Sequence, residues 1–120
     1  MKIIRTRLTQ EQYNEYIKRY TGDGSDHFAD WQNRLIKEYK HWAIVKNLFP
    51  YDNIATVSHI LITKRVVEFD WEKLSRDEQK ELNRIKKDIR DKYDCILENL
   101  PTARSIPKHF HLHLLKIKDY

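Results

Sequence analysis

The sequence predicts an α+β protein built on an antiparallel β-sheet, and three observations lead to that prediction. The chain has 120 residues, which is the usual length of one domain with one modest core. Apolar residues make up 40% of the chain and charged residues 34%, as in folded globular proteins. Segments with helical and with strand periodicity both occur, but they do not alternate regularly, so a doubly wound parallel sheet is not favoured.

Residues 1–41 are predicted to form a helical N-terminal extension. Thr9 and Gln12 have the spacing of a capping box, which predicts a first helix there. Both glycines of the chain fall within residues 21–25, which predicts a loop. Asp26 is a suitable N-cap for a second helix. The predicted buried face of that helix consists of apolar residues at steps of three and four: Phe28, Trp31, Leu35, Tyr39 and Trp42.

Residues 42–117 are predicted to contain the sheet and one more helix. Ser75 and Glu78 have the spacing of a second capping box, so a helix is expected to begin there. It links the second and third of the predicted strands, and the whole chain, residues 1–120, is expected to be a single domain. Four segments rich in β-branched and aromatic residues are the predicted strands: 42–45, 58–63, 93–98 and 109–117.

Charge and composition narrow the function classes. The formal net charge of +5 favours anionic partners such as nucleotides or nucleic acid. A single cysteine, Cys95, excludes an internal disulfide and is typical of a reducing compartment. No apolar run approaches the roughly 20 residues that span a membrane, and residues 1–7 do not resemble a signal peptide. We therefore expect a cytoplasmic protein with no membrane partner.

Three of the six histidines lie within residues 109–113, His-Phe-His-Leu-His. Successive side chains of a strand point to opposite faces, so His109, His111 and His113 are predicted to share one face. Phe110 and Leu112 then point toward the core from the other face. On a helix the same residues would be spread around the axis, so the pattern indicates both a strand and a polar, functional face.

Three aligned imidazoles suit two kinds of chemistry. Alternate histidines of a strand can bind zinc or iron, which predicts a metal-dependent hydrolase with His109, His111 and His113 as ligands. A neutral imidazole, with an ordinary pKa of about 6.5, is also a nucleophile toward phosphorus. Arg104 and Lys108 precede the motif, and their cations attract phosphate and repel a metal. The residues therefore favour phosphoryl chemistry over a metal site.

The histidine motif, continued by Leu114 and Leu115, resembles the signature of the histidine triad (HIT) family. The order strand, loop, strand, long helix, strand, loop and triad strand is also similar to that family, over roughly residues 42–117. The resemblance implies a HIT-like antiparallel sheet with a nucleotide cleft. It also implies an enzyme that hydrolyses or transfers nucleoside monophosphates joined to a leaving group, with neither a metal nor another cofactor in the covalent step.

The resemblance implies a role for each catalytic residue. His111 attacks the α-phosphorus and forms a covalent nucleotidyl-histidine. His109 orients His111 through its backbone carbonyl, and His113 hydrogen-bonds the phosphate oxygens. Ser105 bonds the atom that bridges to the leaving group. The chain departs from the family in having no glycine at residues 100–104.

A second set of residues is expected to bind the nucleotide. Arg104 is expected to replace the missing backbone contact to phosphate, and Lys108 to add a second cation. The positions that match family residues are Asn99 near the phosphate, His59 beside the triad, Asn47 at the ribose and Phe49 at the base pocket.

The partners follow from these roles. The expected ligand is a nucleotide or dinucleotide substrate, and the family often forms homodimers. A non-catalytic nucleotide- or RNA-binding module is a third hypothesis, because the basic charge and the tyrosine and tryptophan content permit it.

Overall fold

The computed structural model describes residues 4–20, 26–101 and 106–119. These residues form a small α+β domain with two α-helices and a five-stranded antiparallel sheet, which confirms the predicted α+β class and the antiparallel sheet. The strand order across the sheet is β1-β2-β3-β5-β4. The helices are α1 (Arg7–Tyr20) and α2 (Arg76–Asp88). The strands are β1 (Leu35–Glu38), β2 (Trp42–Lys46), β3 (Ala55–Thr63), β4 (Cys95–Leu97) and β5 (His111–Ile117).

Helix α2 covers one face of the sheet, which we call the α2 face. The capping box at Ser75 is confirmed: its hydroxyl accepts from the amide of Glu78, and the Glu78 carboxylate accepts from the amide of Ser75. Leu82 and Ile85 then point inward with a helical spacing. The largest apolar cluster of the domain lies here and contains, among others, Trp42, Ile44, Leu61, Phe110, Leu112 and Leu114.

The opposite face of the sheet carries the triad, and we call it the histidine face. Register places Ile62 beside His111 and Ile60 beside His113, so these side chains share that face. A second apolar cluster forms around Phe28, which precedes the sheet in the chain and packs over this face.

The predicted second helix is wrong. Residues 27–30 form turns, a 3-10 helix spans Trp31–Arg34, and β1 follows at once. The apolar stripe failed as a predictor because its two ends belong to opposite faces of the sheet: Phe28 packs over the histidine face and Trp42 over the α2 face.

The first helix begins earlier than predicted. Arg7 is its first residue, and the hydroxyl of Thr6 accepts a hydrogen bond from the amide of Thr9 at 3.4 Å. The predicted cap at Thr9 is therefore wrong. Asp52 ties this end of α1 to the loop before β3, because its carboxylate accepts from the Thr6 amide at 2.8 Å and the Thr9 hydroxyl at 2.6 Å. None of the helices within the described ranges has the length and apolar character needed to cross a membrane.

Candidate functional site

The triad alternates as predicted. Phe110, Leu112 and Leu114 enter the core under α2, and the histidines lie on the other face. The ring centroids of His111 and His113 are 5.6 Å apart, and Phe28 packs on His111 at 5.2 Å. The three imidazoles are nevertheless buried, with exposed fractions of 1% to 6%. The predicted polar face is therefore an interior surface, because residues from 4–20 and 26–34 cover it.

His109 is fixed by two hydrogen-bond acceptors. Its Nδ1 lies 3.0 Å from a carboxylate oxygen of Asp26, and its Nε2 lies 2.6 Å from the backbone carbonyl of Thr63. Both ring nitrogens are thus occupied by contacts with oxygen acceptors. His109 therefore anchors the residues after the 21–25 segment to the end of β3, and its own ring does not serve as a nucleophile.

His111 is oriented by the backbone of His109. Its Nδ1 lies 2.8 Å from the His109 carbonyl oxygen and must donate to it, since a carbonyl only accepts. In the neutral ring this contact places the proton on Nδ1 and the lone pair on Nε2. The geometry thus selects the tautomer in which Nε2 is the nucleophilic nitrogen.

His113 belongs to a short chain of hydrogen bonds. The side-chain amide of Asn99 donates to the Tyr51 hydroxyl at 3.1 Å, and that hydroxyl lies 3.0 Å from Nε2 of His113. The Tyr51 hydroxyl has one proton to donate, and when it donates to Nε2 the proton of the neutral His113 ring is on Nδ1. Burial, followed by the nearby His111 and Arg5, lowers the pKa of His113 to about 3, so this ring is neutral at physiological pH.

His111 and His113 lie in the wall of a cavity between the sheet and the N-terminal residues. It encloses about 40 Å³, which is room for a few water molecules. Of the described residues that line it, none is acidic, and two carry guanidinium groups, Arg5 and Arg34. The other polar or aromatic side chains of the wall include Tyr13, Tyr16, His27, Phe28, Asn47, Phe49, Tyr51 and Asn99. The electrostatic character of the cavity suits an anion.

Aromatic side chains close the cavity on the side of α1. Phe49 packs between two tyrosines of the helix, with ring centroids 5.5 Å from Tyr13 and 5.0 Å from Tyr16. The Arg5 guanidinium lies 4.0 Å from the Tyr13 ring centre, and its Nε donates to the Phe49 carbonyl oxygen at 2.8 Å. These contacts make the N-terminal residues a cover over the histidine face.

Several predicted site residues meet at the cavity. His111, His113, Asn99, Asn47 and Phe49 all line it. Asn47 also stabilises the turn after β2, because its side-chain oxygen accepts from the Phe49 amide at 2.9 Å.

Other predicted site residues are not brought to the cavity. His59 pairs with Leu114 and faces α2, and its Nδ1 contacts the Tyr93 hydroxyl at 2.6 Å. The prediction that its side chain lies beside the triad is wrong, because His59 is one residue out of phase and points to the other face of the sheet. Lys108 is exposed and does not line the cavity. Arg104 and Ser105 lie outside the described residues.

Four contributors to the site were missed by the sequence reasoning. Tyr51 stacks on His113 with ring centroids 4.4 Å apart. Arg5 and Arg34 supply the positive charge, and Asp26 holds His109. Asp26 was interpreted only as a helix cap and Arg34 was placed inside a helix. No local sequence pattern marks Arg5 or Tyr51, because only the tertiary fold brings them to the cavity.

The described residues contain no group of three histidine, cysteine, aspartate or glutamate side chains placed to hold a metal ion. In the triad itself, Nδ1 of His109 faces Asp26 and Nδ1 of His111 faces a carbonyl oxygen. The arrangement gives the three-histidine metal hypothesis no support.

No protein-family model matches the chain, and no curated protein sequence matches it.

Proposed function

We propose that this protein is a nucleotide hydrolase or nucleotidyltransferase of the HIT type, which cleaves an α-phosphate linkage through a covalent nucleotide on His111. The observation that carries the proposal is the 2.8 Å contact between Nδ1 of His111 and the His109 carbonyl oxygen. It fixes the ring in the wall of a cationic cavity with the lone pair on Nε2, as a nucleophile toward phosphorus requires.

The covalent step balances with these groups alone. The Nε2 lone pair of His111 forms a bond to the α-phosphorus, the bond from phosphorus to the bridging atom breaks, and the leaving group takes that electron pair. The ring then carries a positive charge, which strengthens the hydrogen bond from Nδ1–H to the His109 carbonyl. Water attacks the phosphorus next, the N–P electron pair returns to Nε2, and a proton leaves with the nucleoside monophosphate. In a transfer reaction an acceptor hydroxyl or phosphate replaces water.

The neighbouring groups stabilise negative charge at phosphorus. His113 keeps a proton on Nδ1, while Asn99 and Tyr51 hold its other nitrogen. Arg5 adds a positive charge to the same cavity, and Arg34 adds a second one that Asp30 partly balances at 3.1 Å. Donors and cations positioned before the reaction stabilise the charge that develops in the transition state.

A nucleotide is larger than the enclosed volume of about 40 Å³. The proposed reaction therefore requires α1, with Tyr13 and Tyr16, to move away from Phe49 when substrate binds. The contacts that such a movement breaks include those of Tyr13 and Tyr16 with Phe49 and the hydrogen bond between Tyr16 and His27.

Removing the nucleophile tests the proposal. We expect His111→Asn to lower turnover of nucleotide conjugates roughly 10³-fold or more, because His111 supplies the lone pair that forms the covalent bond. His41→Asn is the matched control, since His41 lies in the turn before β2 and its hydrogen bonds to the described residues come from its backbone.

The assay is a panel of dinucleoside polyphosphates, nucleoside phosphoramidates and nucleotide sugars, with circular dichroism to confirm that both variants fold. Turnover that survives in His111→Asn would refute the nucleophile. Tight binding without turnover of any substrate by the unchanged protein would instead favour the non-catalytic binding module.

A further inference from the structure

The outer surface of α2 carries a row of unpaired cations. The exposed basic residues of this helix are Arg76, Lys80, Arg84, Lys86 and Lys87. None of them forms an ion pair with another described residue. The spacing of four of them, i, i+4, i+8 and i+11, places them along one side of the helix. We call these four residues the basic stripe: Arg76, Lys80, Arg84 and Lys87.

The acidic residues of α2 are directed elsewhere. Glu78 and Glu81 are 2% and 8% exposed, and their carboxylates bind groups of the segment after β3 and of the turn before β2. Asp88 binds Lys37 of the edge strand β1. Only Asp77, in the first turn, is an exposed acid of the helix with no ion pair to a described residue. The charge of the basic stripe is therefore not balanced within the helix.

This arrangement differs from that of a helix face that only has to remain solvated. Such a face is stabilised by opposite charges at i and i+4, whereas like charges at this spacing destabilise a helix. Arg76 with Lys80, and Lys80 with Arg84, are like-charged pairs at i and i+4. Arg76 also lies in the first turn, where the helix dipole disfavours a cation. The basic stripe therefore destabilises α2, and solvation alone does not account for it.

The chemistry of this surface favours a phosphate backbone as its partner. Both apolar side chains of the helix, Leu82 and Ile85, are buried, and Gln79 and Asn83 are exposed beside the basic stripe. A membrane-bound helix needs an apolar face, and protein interfaces are centred on aromatic and apolar side chains and are poor in lysine. Arginine, lysine, asparagine and glutamine side chains are the usual donors to nucleic-acid phosphates.

We infer that the basic stripe binds the phosphate backbone of a nucleic acid. At a rise of about 1.5 Å per residue the stripe is about 16 Å long. Each strand of a duplex places a phosphate roughly every 3.4 Å along its axis, so several phosphates come within reach together. Contacts with the backbone alone carry no sequence information, so the binding is independent of sequence. The stripe lies on the α2 side of the sheet and the cavity on the histidine side, so the inference is independent of the proposed function.

Fluorescence anisotropy of the full chain measures this binding with two short labelled probes, a DNA duplex and a single-stranded oligouridylate. The probes share the phosphate backbone and differ in strand form, so the tighter one identifies the form that the stripe prefers. We expect Lys80→Gln combined with Arg84→Gln to weaken binding about 10-fold or more. The slope of log affinity against log salt should become shallower by about two, one for each lost phosphate contact.

The matched control is Lys18→Gln combined with Arg19→Gln, which removes the same charge from the exposed last turn of α1. We expect it to change the affinity by less than about threefold and to leave the salt slope as it is. An equal loss in both double variants would assign the binding to net charge and overturn the inference. Failure of the unchanged protein to bind either probe at low salt would overturn it as well.

Other anionic partners are tested with the same variants. Polyglutamate should bind more weakly than the duplex, because its charges are farther apart and it releases fewer counterions. Equally tight binding of polyglutamate would favour an acidic protein segment and contradict the inference. Cosedimentation with vesicles of phosphatidylserine and phosphatidylcholine, in a protein that binds neither nucleic acid, would replace it with a membrane surface.

Urea unfolding separates a binding role from a structural one. Lys80→Gln combined with Arg84→Gln removes like-charge repulsion, so its unfolding midpoint should equal or exceed that of the unchanged protein. A lower midpoint would show that the basic stripe stabilises α2, and the argument for a partner would fail.

Discussion

The two faces of the sheet bury side chains of the same strand in opposite surroundings. On the α2 face, Phe110, Leu112 and Leu114 pack against Leu82 and Ile85 in a continuous apolar cluster. On the histidine face, the alternate residues of the same strand are imidazoles that contact Asp26, Tyr51 and backbone carbonyl oxygens. One strand therefore contributes both the core of the domain and its polar cavity.

This difference indicates which face stabilises the fold and which face carries the candidate site. Burial of apolar surface stabilises the α2 face without any need for polar partners. The histidine face buries polar groups, and two of its donors have no partner within the described residues. Unsatisfied buried donors destabilise the fold, so this face has the character of a binding site rather than of a core.

The largest loss of stability is expected from a substitution in the core of the α2 face. Leu112 is 1% exposed, and Leu112→Ala should destabilise the protein by about 2–5 kcal/mol, because a cavity replaces packed side-chain atoms. His111→Asn, one residue earlier on the other face, should cost about 1 kcal/mol. Urea unfolding of the two variants measures the contrast. Equal destabilisation would show that the histidine face belongs to the same core.

Measurements at several pH values compare the buried His113 on the histidine face with the half-buried His59 on the α2 face. Burial lowers the pKa of His113 to about 3, and burial with a smaller effect of Lys46 lowers the pKa of His59 on the α2 face. The unfolded chain binds these protons near its ordinary pKa of about 6.5 and the folded chain does not. The free energy of unfolding should therefore fall as pH decreases from about 6.5 toward 3.

His113 alone should contribute a slope of up to about 1.4 kcal/mol per pH unit in that window. We expect His113→Phe to remove most of the slope and His59→Phe to remove less of it, since His113 is the more deeply buried ring. Urea unfolding at several pH values tests both variants. A slope that persists in His113→Phe would assign the acid sensitivity to other groups.

The smallest expected effect concerns how each helix is attached. Asp52 accepts three hydrogen bonds from Thr6 and Thr9, and together these outweigh burial and lower the pKa of its carboxyl. Asp52→Ala should loosen α1 by about 1 kcal/mol, in the range of an ordinary helix cap. Hydrogen exchange of the α1 amides should become roughly fivefold faster while the sheet keeps its protection.

Ser75→Ala is the matched change at α2, since it removes that helix's cap. Because α2 packs on the main core, we expect its loss to lower global stability rather than to open the helix alone. An unchanged exchange rate of α1 in Asp52→Ala would show that the aromatic contacts alone hold the cover.

Sequence reasoning worked where local periodicity and burial agree. Strict alternation at residues 109–113 placed the histidines on one face and Phe110 in the core, and the capping box at Ser75 located α2. It failed between Phe28 and Trp42, where apolar residues at helical spacing serve both faces of a sheet instead of one helix.

The site was only partly predictable for the same reason. Of the predicted site residues, His111, His113, Asn99, Asn47 and Phe49 line one cavity. Arg5 comes from a segment with no recognisable pattern and Arg34 from one whose pattern predicted a helix, and the approach of both to the triad depends on how the N-terminal residues fold over the sheet. His59 shows a different error. Its strand does lie beside the triad strand, but its side chain is on the opposite face of the sheet from the histidines.

Direct detection of the covalent intermediate tests the central claim. The protein is mixed with a dinucleoside triphosphate, denatured at neutral pH because a phosphorus–nitrogen bond to histidine is acid-labile, and digested for mass spectrometry. We predict one added nucleoside monophosphate on the peptide that contains His111, and none in His111→Asn. Turnover by the unchanged protein with no such adduct, or with the adduct on another residue, would contradict the account.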